Sequence, residues 1–132
     1  MGSKIFSISD TEKSNSFYTP WSLVHLFAGM VLYFFFNIYF KPKISLILSL
    51  VIHTIYEIRD YYKTYHLKKA KNSLFNSVGD TVSCLIGILI AIFMNIKGTK
   101  NKVIYLVIIH LINSILIQIL LLNKMEISDD NI

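Results

Sequence analysis

Charge is what this chain has least of, and its placement says more than its scarcity. No Asp, Glu, Lys or Arg occurs between Lys13 and Lys41, nor between Lys102 and Lys124. A helix needs roughly 20 mostly apolar residues to cross the hydrocarbon core of a bilayer, and both gaps provide them. Hydrophobic residues make up 54% and charged residues 16%, a balance that argues against an ordinary soluble domain. Cysteine is nearly absent. The single Cys84, inside an apolar run, excludes a disulfide framework and a cysteine metal motif and leaves the redox compartment open. With 132 residues there is room for one domain. The net charge of +5 comes from lysines clustered between the apolar runs. That pattern suits anionic lipid headgroups and gives no basic face for nucleic acid.

The pattern predicts an all-α, four-helix transmembrane bundle with short polar loops. Residues Met1 to Ser16 read as a mobile polar tail. They do not read as a signal peptide, because the apolar run that follows is too long and has no small-residue cleavage pattern. Met1-Gly2-Ser3 lacks the Ser or Thr that myristoylation wants at position 6, which is Phe6. Thr19-Pro20 is a helix start, with Thr19 as N-cap and Pro20 at the first helical position. Helices are expected over about 20–40, 44–62, 73–96 and 103–122. Lys41-Pro42-Lys43 is a tight antiparallel return, residues 63–72 form a basic connection, and 97–102 form a turn with Gly98 ending helix 3. Residues 123–132 are a short acidic tail.

Each expected helix carries a pattern of its own. On helix 2, Ser45, Ser49, His53 and Glu57 recur every four positions and so share one face, which Asp60 continues and Tyr56 flanks. Helix 3 carries a ladder of small residues, Gly79, Ser83, Gly87 and Ala91, which lets another helix approach closely and is a candidate face for a homo-oligomer. On helix 4, His110, Asn113, Ser114 and Gln118 read as packing contacts, as do Ser45 and Ser49 on helix 2. Four crossings place both termini on one side. Lys4, Lys13, Arg59, Lys63, Lys68, Lys69, Lys71 and Lys124 then outnumber Lys41, Lys43, Lys97, Lys100 and Lys102 on the other, which favours cytoplasmic termini.

Asp80 is the most demanding residue in this scheme, because it enters a run that stays uncharged to Ile96. Ionisable side chains inside an apolar span face a partner or a cavity. With a rise of 1.5 Å per residue, His25 lies about 7 Å in from Pro20, Glu57 about 7 Å in from Tyr62 and Asp80 roughly 10 Å in from Ser73. The topology therefore gives His25, His53, Glu57 and Asp80 a common depth, with Asn76, Ser77 and Asp60 as supporting polar groups.

The motifs around these residues resemble a known family. Phe17-Tyr18-Thr19-Pro20-Trp21-Ser22, with His25, resembles the entry of a bacterial membrane family, domain of unknown function 2585. His53-Thr54-Ile55-Tyr56-Glu57-Ile58-Arg59-Asp60 is similar to its Glu-x-x-Trp-Glu-x-x-Glu segment, with His53 in place of a glutamate and Arg59 as an added charge. Ser73-Leu74-Phe75-Asn76-Ser77-Val78-Gly79-Asp80-Thr81, followed by Gly87, looks like its Ser-x-x-Asn-Ser-x-x-Asp-Thr run, with Asn72 replacing an aspartate. More distantly, the chain is similar to VanZ-like proteins. The resemblance implies the fold and the place of the site, and it supplies no reaction.

Three functions compete for the cluster. His25, His53, Glu57 and Asp80 could ligate a divalent metal that activates water or polarises a lipid headgroup, with His53, Glu57 and Asp80 as the catalytic groups. They could relay protons in a small transporter-like subunit. They could lock the helices of a non-catalytic membrane adaptor.

Overall fold

The computed structural model describes residues 19–66 and 74–130. The N-terminal tail and most of the basic connection expected after helix 2 lie outside these residues. Four helices account for the rest: α1 (Pro20–Tyr39), α2 (Pro42–His66), α3 (Leu74–Met94) and α4 (Thr99–Asp130). Both prolines of the chain stand at the first residue of a helix, where the missing N–H costs nothing and the fixed φ suits the first turn. At the start of α1 the Ser22 N–H donates to the Thr19 carbonyl at 2.9 Å, and the Ser22 hydroxyl accepts the Thr19 N–H at 3.0 Å.

The helix ends differ from the expected ones in informative ways. Helix α2 continues past Tyr62 to His66. Helix α3 ends at Met94, and the residue that turns the chain out of the helix is Asn95, with φ +49°, rather than Gly98. Asparagine tolerates the left-handed region, so the helix ends two residues before the expected Ile96. Gly98, at φ +88°, makes the second half of the turn, and α4 starts directly after it at Thr99. The helix then runs through the expected acidic tail to Asp130, because that sequence contains no glycine or proline to stop it.

Helix α1 is the axis of the bundle. Its backbone lies close to each of the other three, whereas α4 approaches α1 alone. The closest fit is with α3. A methyl group on Gly87 would run into the Leu26 carbonyl, and one on Gly29 would run into the carbonyl of Cys84. Of the small-residue ladder of α3, all of it buried, Gly87 is thus seated on α1 of the same chain, and Ala91 joins the core beside it. Around this seam Met30, Tyr33 and Phe34 of α1 pack on Cys84, Ile88 and Ala91 of α3 and Ile109 of α4. Phe34 stacks on Tyr105, with ring centroids 6.1 Å apart, to join α1 to α4.

Polarity in this bundle runs outward to inward in the opposite sense from a soluble protein. Ser22, Ser45, Ser49, His53, Glu57, Asp80, Ser83 and Asn113 are buried, while Ile44, Ile47, Val51, Ile55 and Ile58 of α2 and most of the large apolar side chains of α4 are exposed. Helices α1, α3 and α4 are each long and apolar enough to cross a membrane. Helix α2 is long enough too, at about 37 Å for 25 residues. It is uncharged only from Ile44 to Tyr56, and Glu57, Arg59, Asp60 and Lys63 lower its hydropathy.

Candidate metal centre

The face that α2 turns inward delivers its polar residues one turn at a time. Ser49 donates to the Ser45 carbonyl at 2.7 Å, and Ser45 donates to the Lys41 carbonyl at 3.0 Å, so both serines satisfy themselves on their own helix. The next two steps of the same face, His53 and Glu57, have no such recourse and meet α1 and α3 instead.

One atom from each forms a small triangle with a ring nitrogen of His25 in α1. The Nδ1 atom of His25 lies 3.1 Å from Nε2 of His53 and 3.7 Å from Oε1 of Glu57. The third edge, from His53 Nε2 to Glu57 Oε1, is 3.6 Å. Only the first edge has hydrogen-bond length. Both Glu57 oxygens are buried and receive no hydrogen bond. Ser77, half-buried early in α3, stands beside this carboxylate without completing one. His53 Nδ1, on the far side of its ring, is likewise buried and unpartnered. A buried carboxylate left with only distant partners is costly, which demands an explanation in charge.

The triangle has the size of a metal site. Four ligands held tetrahedrally at about 2.1 Å stand about 3.4 Å apart, inside the observed range of edges. A point about 2.0 Å from all three atoms exists, and that is a zinc–imidazole or zinc–carboxylate bond length. His25, His53 and Glu57 are the one such group of potential ligands among the described residues.

Asp80 occupies a different place from the one expected of a fourth ligand. Its Oδ2 lies 3.3 Å from Nε2 of His25, the ring nitrogen turned away from the triangle. A carboxylate at that nitrogen suits the tautomer protonated on Nε2, which would leave the Nδ1 lone pair free on the side of the triangle. Asp80 is 1% exposed, and the Ser22 hydroxyl donates to its Oδ1 across a long 3.5 Å contact. Ser22 is the site residue that sequence reasoning misses. Its signal is its spacing, three residues before His25 and so on the same face of α1.

The supporting residues divide. Asp60 is partly buried and within electrostatic reach of His53, Glu57 and Asp80. Tyr56, 58% exposed, points away from the cluster. Asn76 lies in the first turn of α3. The structure thus brings His25, His53, Glu57 and Asp80 into one contiguous cluster from three helices. Comparisons with protein-family models, curated proteins and solved structures return no match for this chain.

Proposed function

We propose that this chain is a multi-pass membrane protein that holds a divalent cation of the zinc class on His25, His53 and Glu57. All four helices cross the bilayer in this reading, with the termini on the cytoplasmic side. The observation that carries it is the triangle of three ligand atoms with edges of 3.1, 3.7 and 3.6 Å, two of them too long for hydrogen bonds. Two imidazoles and one carboxylate with a further position open make a donor set suited to catalysis rather than to a closed structural site. Asp80 is the positioning residue for His25, and Ser22 steadies Asp80.

Such an ion lowers the pKa of a bound water and polarises a phosphoryl or carbonyl oxygen. With Pro20 at the headgroups in this reading, His25 lies about 7 Å further along α1, which supports a site just beneath them. The chemistry that fits is hydrolysis or transfer at the headgroup of a lipid. The resemblance to domain of unknown function 2585 and to VanZ-like proteins rests on the motifs that carry these same residues.

A metal-free lock is the competing reading, favoured by the 3.1 Å contact between the imidazoles, which serves as a hydrogen bond without any ion. Elemental analysis separates the two. Detergent-purified protein dialysed against micromolar zinc should retain one equivalent, and His53→Ala should retain none. Wild-type protein that retains no metal leaves the lock.

A further inference from the structure

At the opposite end of the bundle the structure holds a second polar feature, unrelated to the histidines. A cavity of about 540 Å³ opens between the last turns of α1 and α3 and the first turns of α2 and α4. Its floor is apolar, set by the buried Phe34 and Ala91, and its rim carries Asn37, Lys41, Lys97 and Lys102. The volume is that of a small-molecule site.

The charge at this end is of one sign. No Asp or Glu occurs from Lys13 to Tyr56 or from Thr81 to Met125, so neither connecting loop supplies a carboxylate to the three lysines. Asp80, the acidic residue of α3, lies roughly 20 Å away along the helix from Met94. Lys102 is also fixed in place, because its Nζ donates to the Asn37 backbone carbonyl at 3.0 Å. An ammonium has three donors, so two remain for a ligand.

We infer that this cavity binds a phosphate-bearing anion through Lys41, Lys97 and Lys102, with the apolar floor accepting the first carbons of an acyl chain or glycerol. A cationic rim above an apolar floor matches an amphiphile with an anionic head, the ammonium groups meeting the charge and the floor covering the adjoining carbons. The same three ammonium groups would also hold free phosphate, and the two sources are separable by experiment.

The test is native mass spectrometry of the full chain in neutral detergent, titrated in parallel with dioleoylphosphatidylglycerol, dioleoylphosphatidylcholine and inorganic phosphate. One phosphatidylglycerol should bind in preference to phosphatidylcholine, and the preference should weaken with salt. Lys41→Gln/Lys97→Gln should weaken it about twenty-five-fold, taking roughly fivefold for each lysine near an anionic group. Lys102→Gln should weaken it as well; the double variant leaves the Lys102–Asn37 bond intact and so tests the site without touching the fold. Lys100→Gln, outside the cavity, should change nothing. Binding of inorganic phosphate that competes with the lipid and falls in the same variants also supports the site and assigns it to a solute anion. Phosphatidylglycerol bound equally by wild type and the double variant, with no phosphate bound, overturns the inference.

Discussion

Replacing Asp80 separates a residue that binds metal from one that aims a ligand. Its carboxylate reaches His25 on the ring nitrogen facing away from the three-atom triangle, at 3.3 Å. Outer partners of this kind contribute about 10- to 100-fold in metal affinity, or about 1.4 to 2.7 kcal/mol. The amide of Asp80→Asn keeps an acceptor oxygen, so that variant should fall at the lower end, about tenfold. Asp80→Ala removes the acceptor and should approach a hundredfold, about 2.7 kcal/mol. A direct ligand behaves differently. Dividing the roughly 10–16 kcal/mol of a four-ligand zinc site evenly gives about 3 kcal/mol per ligand, more than a hundredfold. His53→Ala and Glu57→Gln should therefore lose more than either Asp80 variant. The assay is zinc competition with a chromophoric chelator on protein in detergent micelles, with a thermal melt as a check on folding. Two results would refute the reasoning. Unchanged affinity in Asp80→Ala would mean that the carboxylate does not hold the imidazole, and a loss equal to that of His53→Ala would make Asp80 a ligand.

Further expectations follow from the same geometry. Zinc affinity should fall as pH falls, by about tenfold per pH unit for each proton that the metal displaces, because protons compete for the imidazole and carboxylate lone pairs; a chelator titration from neutral to acid pH reads the slope, and a flat profile contradicts ligation by histidine. Gly87→Ala should lower the melting temperature in detergent, at a cost of about 1–3 kcal/mol, because its methyl group meets the Leu26 backbone rather than a movable side chain. An unchanged melt would mean that α1 and α3 are not packed this closely. Cys84, 0% exposed, should resist maleimide in the folded protein and react on denaturation. In a Cys84→Ser background, cysteines introduced at Lys43 and Lys100 should label from one side of intact vesicles and a cysteine at position 70 from the other, as four crossings require.

Much of this arrangement can be read from residue order because short-range rules decide it. Thr19-Pro20 marks a helix start wherever it occurs, and the four-residue spacing from Ser45 to Glu57 places those groups on one face whatever packs there. The common depth of His25, His53, Glu57 and Asp80 follows from helix rise and antiparallel order alone. What residue order does not supply is the rotation of one helix about another. That rotation puts Asp80 behind His25 instead of beside it, and turns Tyr56 outward while Ser22 turns in. It also sets Gly87 of α3 against Leu26 and Gly29 of α1 against Cys84, contacts visible only once both helices are placed. The end of α3 departs from expectation for a local reason. Gly98 is the stronger helix breaker by type, yet Asn95 reaches the left-handed region first.

X-ray absorption at the zinc edge of the loaded protein tests the central reading most directly. The account predicts a shell of four nitrogen or oxygen ligands at about 2.0–2.2 Å, with the multiple-scattering signature of two imidazoles, and no sulfur. The shell should lose one imidazole in His25→Ala. A sulfur ligand at about 2.3 Å would place the metal on Cys84 and contradict the account, as would a spectrum that His25→Ala and His53→Ala leave unaltered.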